Sequence, residues 1–255
     1  MEPILLEHGE HISTVTLNRP DAANALSTAL VDALSAALQD LSSSDVRAVI
    51  ITGAGEKAFC AGADLRERAT MSAEQVRAFV PRLQELTNAI AALPMPTIAA
   101  VNGAAFGGGC EIALACDLRV MATHAKIGLT ETSLAIIPGA GGTVRLPRLI
   151  GIGRAKELIF TAARLDADTA LRAGLVNEVS DDAAAAARAL AERIAANGPL
   201  AVRAAKRSMD AGEGLPTPVA LAVEREQYAS TIDTEDRAEG LRAFAEKRNP
   251  KFEGR

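Results

Sequence analysis

Residues 101–142 read VNGAAFGGGCEIALACDLRVMATHAKIGLTETSLAIIPGAGG. The stretch holds two glycine-rich turns, FGGGCE at 106–111 and PGAGG at 138–142. Each lies close to one acid, Glu111 or Glu131, set among small and apolar neighbours. A carboxylate there loses hydration, so its pKa rises toward the range where it exchanges protons near neutral pH. Glycines beside it let backbone N–H groups reach a ligand oxygen. The first turn precedes a helix beginning near Glu111, whose free N–H groups suit an oxyanion or a phosphate. The second opens another helix with exposed amides that could orient a water. Taken singly, each turn also reads as tight packing, and each acid as a helix-start or surface glutamate. Together they point to acid–base chemistry on a carbonyl compound.

On either side, strands and helices alternate. Residues 4–6 and 12–17 form a predicted hairpin around His8, Gly9 and Glu10. From Leu26 a helical stripe runs through Ala29, Leu30, Ala33, Leu34, Ala37, Leu38 and Leu41. Residues 46–52 read as a buried strand ending at Gly53. Ser72 with Gln75 forms a capping box for a helix that Pro81 is expected to kink. Strands follow at 97–101, 118–121 and 174–179. The alternation argues an α/β core with largely parallel strands and right-handed crossovers. After about Asp181 only helices are predicted, at 181–197, 199–211, 216–230 and 234–248. No internal sequence repeat stands out.

The chain has 255 residues, enough for one large domain or a domain plus an appendage. Tryptophan is absent and aromatics are 3%, so the core must be aliphatic and alanine-rich. A net charge of −5 gives no bulk attraction to nucleic acid or anionic membranes. Cys60, Cys110 and Cys116 lack metal or redox spacing and read as small buried residues of a reducing compartment. The N-terminus lacks the features of a signal or transit peptide, and no apolar run suits a membrane span, so the expected location is cytoplasmic. His8, His11 and His124 are scattered, and no metal site is expected. TGAGEKA at 52–58 fits G-x-G-x-x-A, but an irregular loop follows where a nucleotide-binding helix would open. Nucleophile-elbow, P-loop and H-E-x-x-H motifs are absent from the sequence.

Three separated segments, KAFCAGADL at 57–65, GGGCE at 107–111 and ETSLAIIPGAGG at 131–142, resemble the crotonase superfamily, and within it the enoyl-CoA hydratases. The resemblance extends from Asn18, Arg19 and Pro20 to the last helix. It implies a spiral core of repeated β-β-α units at 1–195 and an all-helical trimerisation segment at 196–255. Assembly would be a homotrimer or a dimer of trimers. By the same resemblance, the N–H groups of Ala63 and Gly108 would form an oxyanion hole for a thioester carbonyl. Glu111 and Glu131 would hold water over the C2=C3 bond, one activating it and the other handling the second proton. Gly139 would help orient that water. Ala22, Ala23, Ala61, Gly62, Asp64 and Leu65 would line the path of coenzyme A, and Lys247 would lie near its phosphates. No cofactor is implied, since coenzyme A enters with the substrate.

Retention of both glutamates favours hydration over the superfamily's other reactions. FCAGADLRER at 59–68 and LTETSLAIIP at 129–138 resemble the methylglutaconyl-CoA hydratases more closely, so leucine breakdown is one alternative and enoyl-CoA isomerisation another. A non-enzymatic RNA-binding or scaffolding role is the remaining alternative. Residues 25–44, which correspond to a lysine-rich RNA-binding helix of some relatives, carry Asp32 and Asp40 and no lysine or arginine. Asp21 stands where many members carry a lysine near the coenzyme A phosphates.

Overall fold

The computed structural model describes residues 2–255. Among these residues ten strands are present: β1 (Ile4–His8), β2 (Ile12–Leu17), β3 (Ala48–Gly53), β4 (Ala58–Cys60), β5 (Thr97–Val101), β6 (Ala104–Phe106), β7 (Leu118–Ala122), β8 (Lys126–Gly128), β9 (Leu165–Asp166) and β10 (Glu178–Ser180). They form a six-stranded sheet, ordered β1-β2-β3-β5-β7-β10, and a four-stranded sheet, ordered β4-β6-β8-β9. Apart from the β1–β2 hairpin, every pairing in the larger sheet is parallel. The expected α/β class is the observed one.

The chain climbs the two sheets together. β3, β5 and β7 each give way to a three-residue strand of the smaller sheet, β4, β6 and β8, and then to helical turns. This β-β-α unit repeats three times without a matching sequence repeat. β3 and β5 are buried almost throughout, as parallel strands covered on both faces must be. The helix Ala183–Ala195 lies across β3, β5 and β7. Its inward residues, Ala183, Ala187, Ala191 and Ala195, recur every four positions, so small side chains bring it close to the sheet.

Side chains cap the helices Thr28–Ser42 and Ala73–Ala91, and at the second the expected capping box is present. Ser27 accepts the Leu30 N–H at the start of the helix Thr28–Ser42. Ser72 and Gln75 exchange both capping-box hydrogen bonds before the helix Ala73–Ala91. That helix runs on through Pro81 as one element. The strand expected at 174–179 shrinks to Glu178–Ser180. Gly174, at φ +75°, ends the helix Ala167–Arg172, and the Leu175 N–H returns to Ala170 O. The three cysteines are free and buried, and burial pushes the Cys60 thiol up to about 12.

Beyond Ala195 the chain forms the helices Pro199–Gly212, Thr217–Ala229 and Glu235–Glu246. Lys206 ties the first of these to the core, donating to Asp117 at 2.7 Å and to Met95 O at 3.3 Å. The same Asp117 oxygen accepts the N–H and hydroxyl of Thr97. The closing segment is also fixed: Arg47 donates to Ala195 O and Phe252 O. No described helix is long and apolar enough to cross a membrane.

Candidate active site

Glu111 lies on the buried helix Gly108–Ala115 and is 2% exposed. Its Oε1 accepts two backbone N–H groups, from Ala140 at 2.7 Å and Gly142 at 2.8 Å. The PGAGG turn thus closes onto this carboxylate, and two amides expected to stand exposed are committed to it. Burial raises the Glu111 pKa, opposed by the Gly142 and Ala140 hydrogen bonds and the Arg145 charge.

Glu131 opens the short 3₁₀ turn Glu131–Leu134. Its Oε2 is buried and has no hydrogen-bond partner among the described residues. Burial is the main reason its pKa rises to about 7; its own backbone N–H opposes the rise and the nearby Glu111 charge adds to it. A Cβ on Gly107 would stand 3.2 Å from the Glu131 Oε1. Gly107 also has φ +51°, so both close approach and backbone conformation favour glycine there. The two glutamates therefore share a site but have unlike surroundings: one is clamped by two amides, and the other keeps one buried oxygen unpaired.

The third part comes from residues 61–65. A Cβ built on Gly108 would lie 3.8 Å from Gly62 Cα and 3.9 Å from Ala63 N, so these peptides are neighbours. The Ala63 and Gly108 N–H groups donate to no acceptor among the described residues. The Ala61–Asp64 loop is fixed by bonds from Leu26 N to Gly62 O (2.8 Å) and from Asp64 N to Leu26 O (3.2 Å). Gly109 has a packing role: a Cβ there would fall 2.0 Å from Cys60 O.

Of the remaining sequence candidates, Ala22 ends the 3₁₀ turn Pro20–Ala22, and Ala23 follows at φ +50°. Ala23 O accepts the Ala61 N–H, which joins the early loop to this edge of the site. Asp64 caps the helix Leu65–Arg68 and pairs with Arg19 at 2.9 Å. Burial pushes its pKa up, but the Arg19 bond and charge and the capping amides outweigh that and leave it low. Leu65 is exposed. Gly139 packs near Val80 beside the Glu111 clamp, and its N–H donates to no acceptor among the described residues. Lys247 is not brought to the glutamates: it caps the helix Glu235–Glu246, exposed, with its N–H returned to Phe244 O.

With this geometry in view, the family model "Enoyl-CoA hydratase/isomerase" matches residues 7–255. The chain belongs to that family. It is 48% identical to the human mitochondrial methylglutaconyl-CoA hydratase over 257 residues, covering 98% of this chain and 76% of the relative. It is also 48% identical to the human mitochondrial enoyl-CoA hydratase domain-containing protein 2 over 251 residues, 96% of this chain and 86% of the relative. A crystal structure of an enoyl-CoA hydratase from Bacillus anthracis superposes with a TM-score of 0.97 at 49% identity, covering 99% of this chain and 100% of that one.

Sequence reasoning passed over the residues that hold this family site in shape. Asn24 is wholly buried: its Oδ1 accepts the Arg19 N–H, and its Nδ2 donates to Ala54 O and Ala58 O. Arg19, named only where the family resemblance begins, donates to Ala25 O and Asp64. Arg145 donates to Ala140 O, Thr87 and Asn88, and Thr87 donates to Ala140 O, which pins the turn that clamps Glu111. The adjacent Asn18, Arg19 and Pro20 were the one signal for the early loop. Arg145 had none.

Proposed function

We propose that this chain is an enoyl-CoA hydratase, adding water across the C2=C3 bond of a 2-enoyl-CoA thioester. The observation that carries the reading is the pair of buried carboxylates with unlike surroundings beside two unused amides. The Ala63 and Gly108 N–H groups would receive the thioester oxygen and stabilise the enolate that develops on it. One such donor is worth about 2.7–4 kcal/mol in the transition state.

Amide donors favour the ionised form of Glu111, which would take a proton from water as its oxygen bonds to C3. Glu131 leaves its Oε2 unpaired among the described residues and holds its proton to about pH 7, so it would deliver that proton to C2. The free Gly139 N–H would steady the water. Proton return from Glu111 to Glu131 completes the cycle, with no metal or redox cofactor required. Isomerisation moves one proton between carbons and needs only one such acid; the second carboxylate favours hydration.

Ala22, Ala23, Ala61, Gly62, Asp64 and Leu65 would follow the coenzyme A chain. Lys247 reaches its phosphates only if assembly brings it there, consistent with a homotrimer or dimer of trimers. Loss of the crotonyl-CoA enone absorbance with purified protein tests the reading; no turnover across straight and branched acyl-CoAs would refute it. The name of the human relative at 48% identity favours a branched dicarboxylic acyl group as a second, narrower reading.

A further inference from the structure

Arg145, in the first turn of the helix Gly142–Ile150, lays its guanidinium back across the turn that clamps Glu111. Its Nη1 donates to Ala140 O at 3.1 Å and to the Thr87 hydroxyl at 3.3 Å, and its Nη2 donates to Asn88 Oδ1 at 2.7 Å. Thr87, buried in the helix Ala73–Ala91, donates to the same Ala140 O at 2.8 Å. Ala140 in turn gives its N–H to Glu111. One residue of the turn therefore links the guanidinium to the carboxylate. Gly141 leaves room for this arrangement: it sits at φ +98°, and a Cβ there would collide with Arg145 Nη1.

Every oxygen the fork reaches is neutral, so its charge is not spent on an adjacent carboxylate. Burial lowers the Arg145 pKa, the Glu111 charge raises it, and Arg148 lowers it. On the other side, burial pushes the Glu111 pKa up, while the Gly142 and Ala140 bonds and the Arg145 charge push it down. The groups around Glu111 on other elements do not supply that charge. Glu131 approaches from its 3₁₀ turn, and Cys110 and Cys60 are thiols that burial keeps protonated. β5 and β6 carry no titratable residue, and the helix Ala73–Ala91 turns Thr87 and apolar side chains inward. A second guanidinium near the Glu111 helix, Arg119, binds carbonyls at its far end, Ala113 O and Cys116 O.

We infer that Arg145 is a positioning residue for hydration: it fixes the turn whose amides orient Glu111, and it places a positive charge behind that turn. The inference rests on the hydratase reading and deepens it. Charge-assisted bonds to Ala140 O hold the turn more firmly than neutral ones would. A base held to a fraction of an ångström is what proton transfer from a bound water needs.

The test compares Arg145→Gln, which keeps an amide donor and loses the charge, with Arg145→Lys, which keeps the charge and loses the fork. Hydration requires ionised Glu111, so kcat rises with pH through the lower apparent pKa of the glutamate pair. Without the cation Glu111 ionises less readily, so Arg145→Gln should move that acid limb to higher pH. It should also lower kcat about 10–10²-fold while KM stays within about two-fold. Arg145→Lys should leave the limb in place and recover part of kcat. A second readout is free of turnover: the ¹³C signal of Glu111 in chain labelled at the glutamate Cδ, assigned by its loss in Glu111→Gln, titrated with pH. Its midpoint should rise in Arg145→Gln and hold in Arg145→Lys. An unmoved midpoint in Arg145→Gln would overturn the inference, as would equal loss of kcat in both variants at one shared limb. Should Arg145→Gln fail to fold by urea melt, Arg145→Lys decides, because a midpoint that rises although the charge is kept overturns the inference. Absent wild-type turnover refutes the hydratase reading, and the signal of Glu111 still reports on Arg145.

Discussion

Glu111 has a chemical and a structural role that two substitutions separate. Its Oε1 takes both the Ala140 and Gly142 N–H groups in a buried setting. Glu111→Ala leaves those two donors without an acceptor, at about 1–3 kcal/mol each, so about 2–6 kcal/mol in all. Glu111→Gln keeps an oxygen in the same place. Its two bonds weaken from charge-assisted to neutral, while the desolvation cost of a buried carboxylate disappears. These changes oppose each other, and stability should stay within about 1 kcal/mol of wild type. Catalysis divides differently: both variants lack the base, so kcat should fall about 10²–10⁴-fold in each. Urea unfolding and crotonyl-CoA hydration, measured on the same preparations, give the two numbers. Equal destabilisation by Gln and Ala would refute the idea that the amide clamp recognises oxygen position. Retained turnover in Glu111→Gln would refute the assignment of the base.

Because Glu131 titrates near 7 in the folded chain against about 4.5 unfolded, its contribution to stability is present at low pH and is lost as pH rises toward 7. Glu131→Gln should therefore gain stability over wild type from about pH 4.5 upward, levelling above 7, while losing about 10²–10⁴-fold in kcat; a pH series of urea melts checks the first and a rate assay the second. The wild-type hydration rate should fall above about pH 7 as Glu131 loses its proton, and the apparent pKa values of that profile belong to the pair of glutamates. Lys206→Met removes the cation from the Asp117 carboxylate, which it pairs with at 2.7 Å and which keeps its Thr97 donors, and should cost about 1–3 kcal/mol, whereas Arg188→Ala, which removes an exposed pair to Glu192, should cost under about 0.5 kcal/mol. Denaturant midpoints compare the two. Gly109→Ala should cost about 3 kcal/mol or more, since its Cβ would meet the Cys60 carbonyl at 2.0 Å and neither backbone can yield cheaply.

The features legible in the sequence are those that local chemistry sets. Ser72 and Gln75 announce a helix start whatever lies around them, and the apolar period of residues 26–41 has one solution. Glu111 and Glu131 stood out because carboxylates are rare among small apolar residues beside glycine turns. What stayed hidden depends on distant partners. Asn24 finds its acceptors 30 and 34 residues away, and Arg145 reaches Thr87 across 58. The shortened β10 was hidden differently: apolar residues at 174–176 resemble a strand until the preceding helix uses Gly174 and Leu175 as its cap.

The elements hardest to read are also the ones that assemble the site. β4, β6 and β8 have three residues each, too few for any period to show. Yet they pair in order, Cys60 beside Ala105 and Phe106 beside Gly128, with the Gly107 N–H continuing the ladder to Gly128 O. The segments leaving these strands carry, in turn, Ala63, then Gly108 with Glu111, then Glu131. Two amides and two acids separated by 68 positions in sequence therefore emerge from one end of the three parallel strands of the smaller sheet. Parallel strands enforce this, because all of them end on the same side, where irregular backbone can present free N–H groups to a ligand. The larger sheet gives the buried apolar core more side chains than the smaller one, while the smaller sets the register of the chemistry. A substitution that slips β6 against β8 would separate the Gly108 amide from Glu131 even with both residues intact.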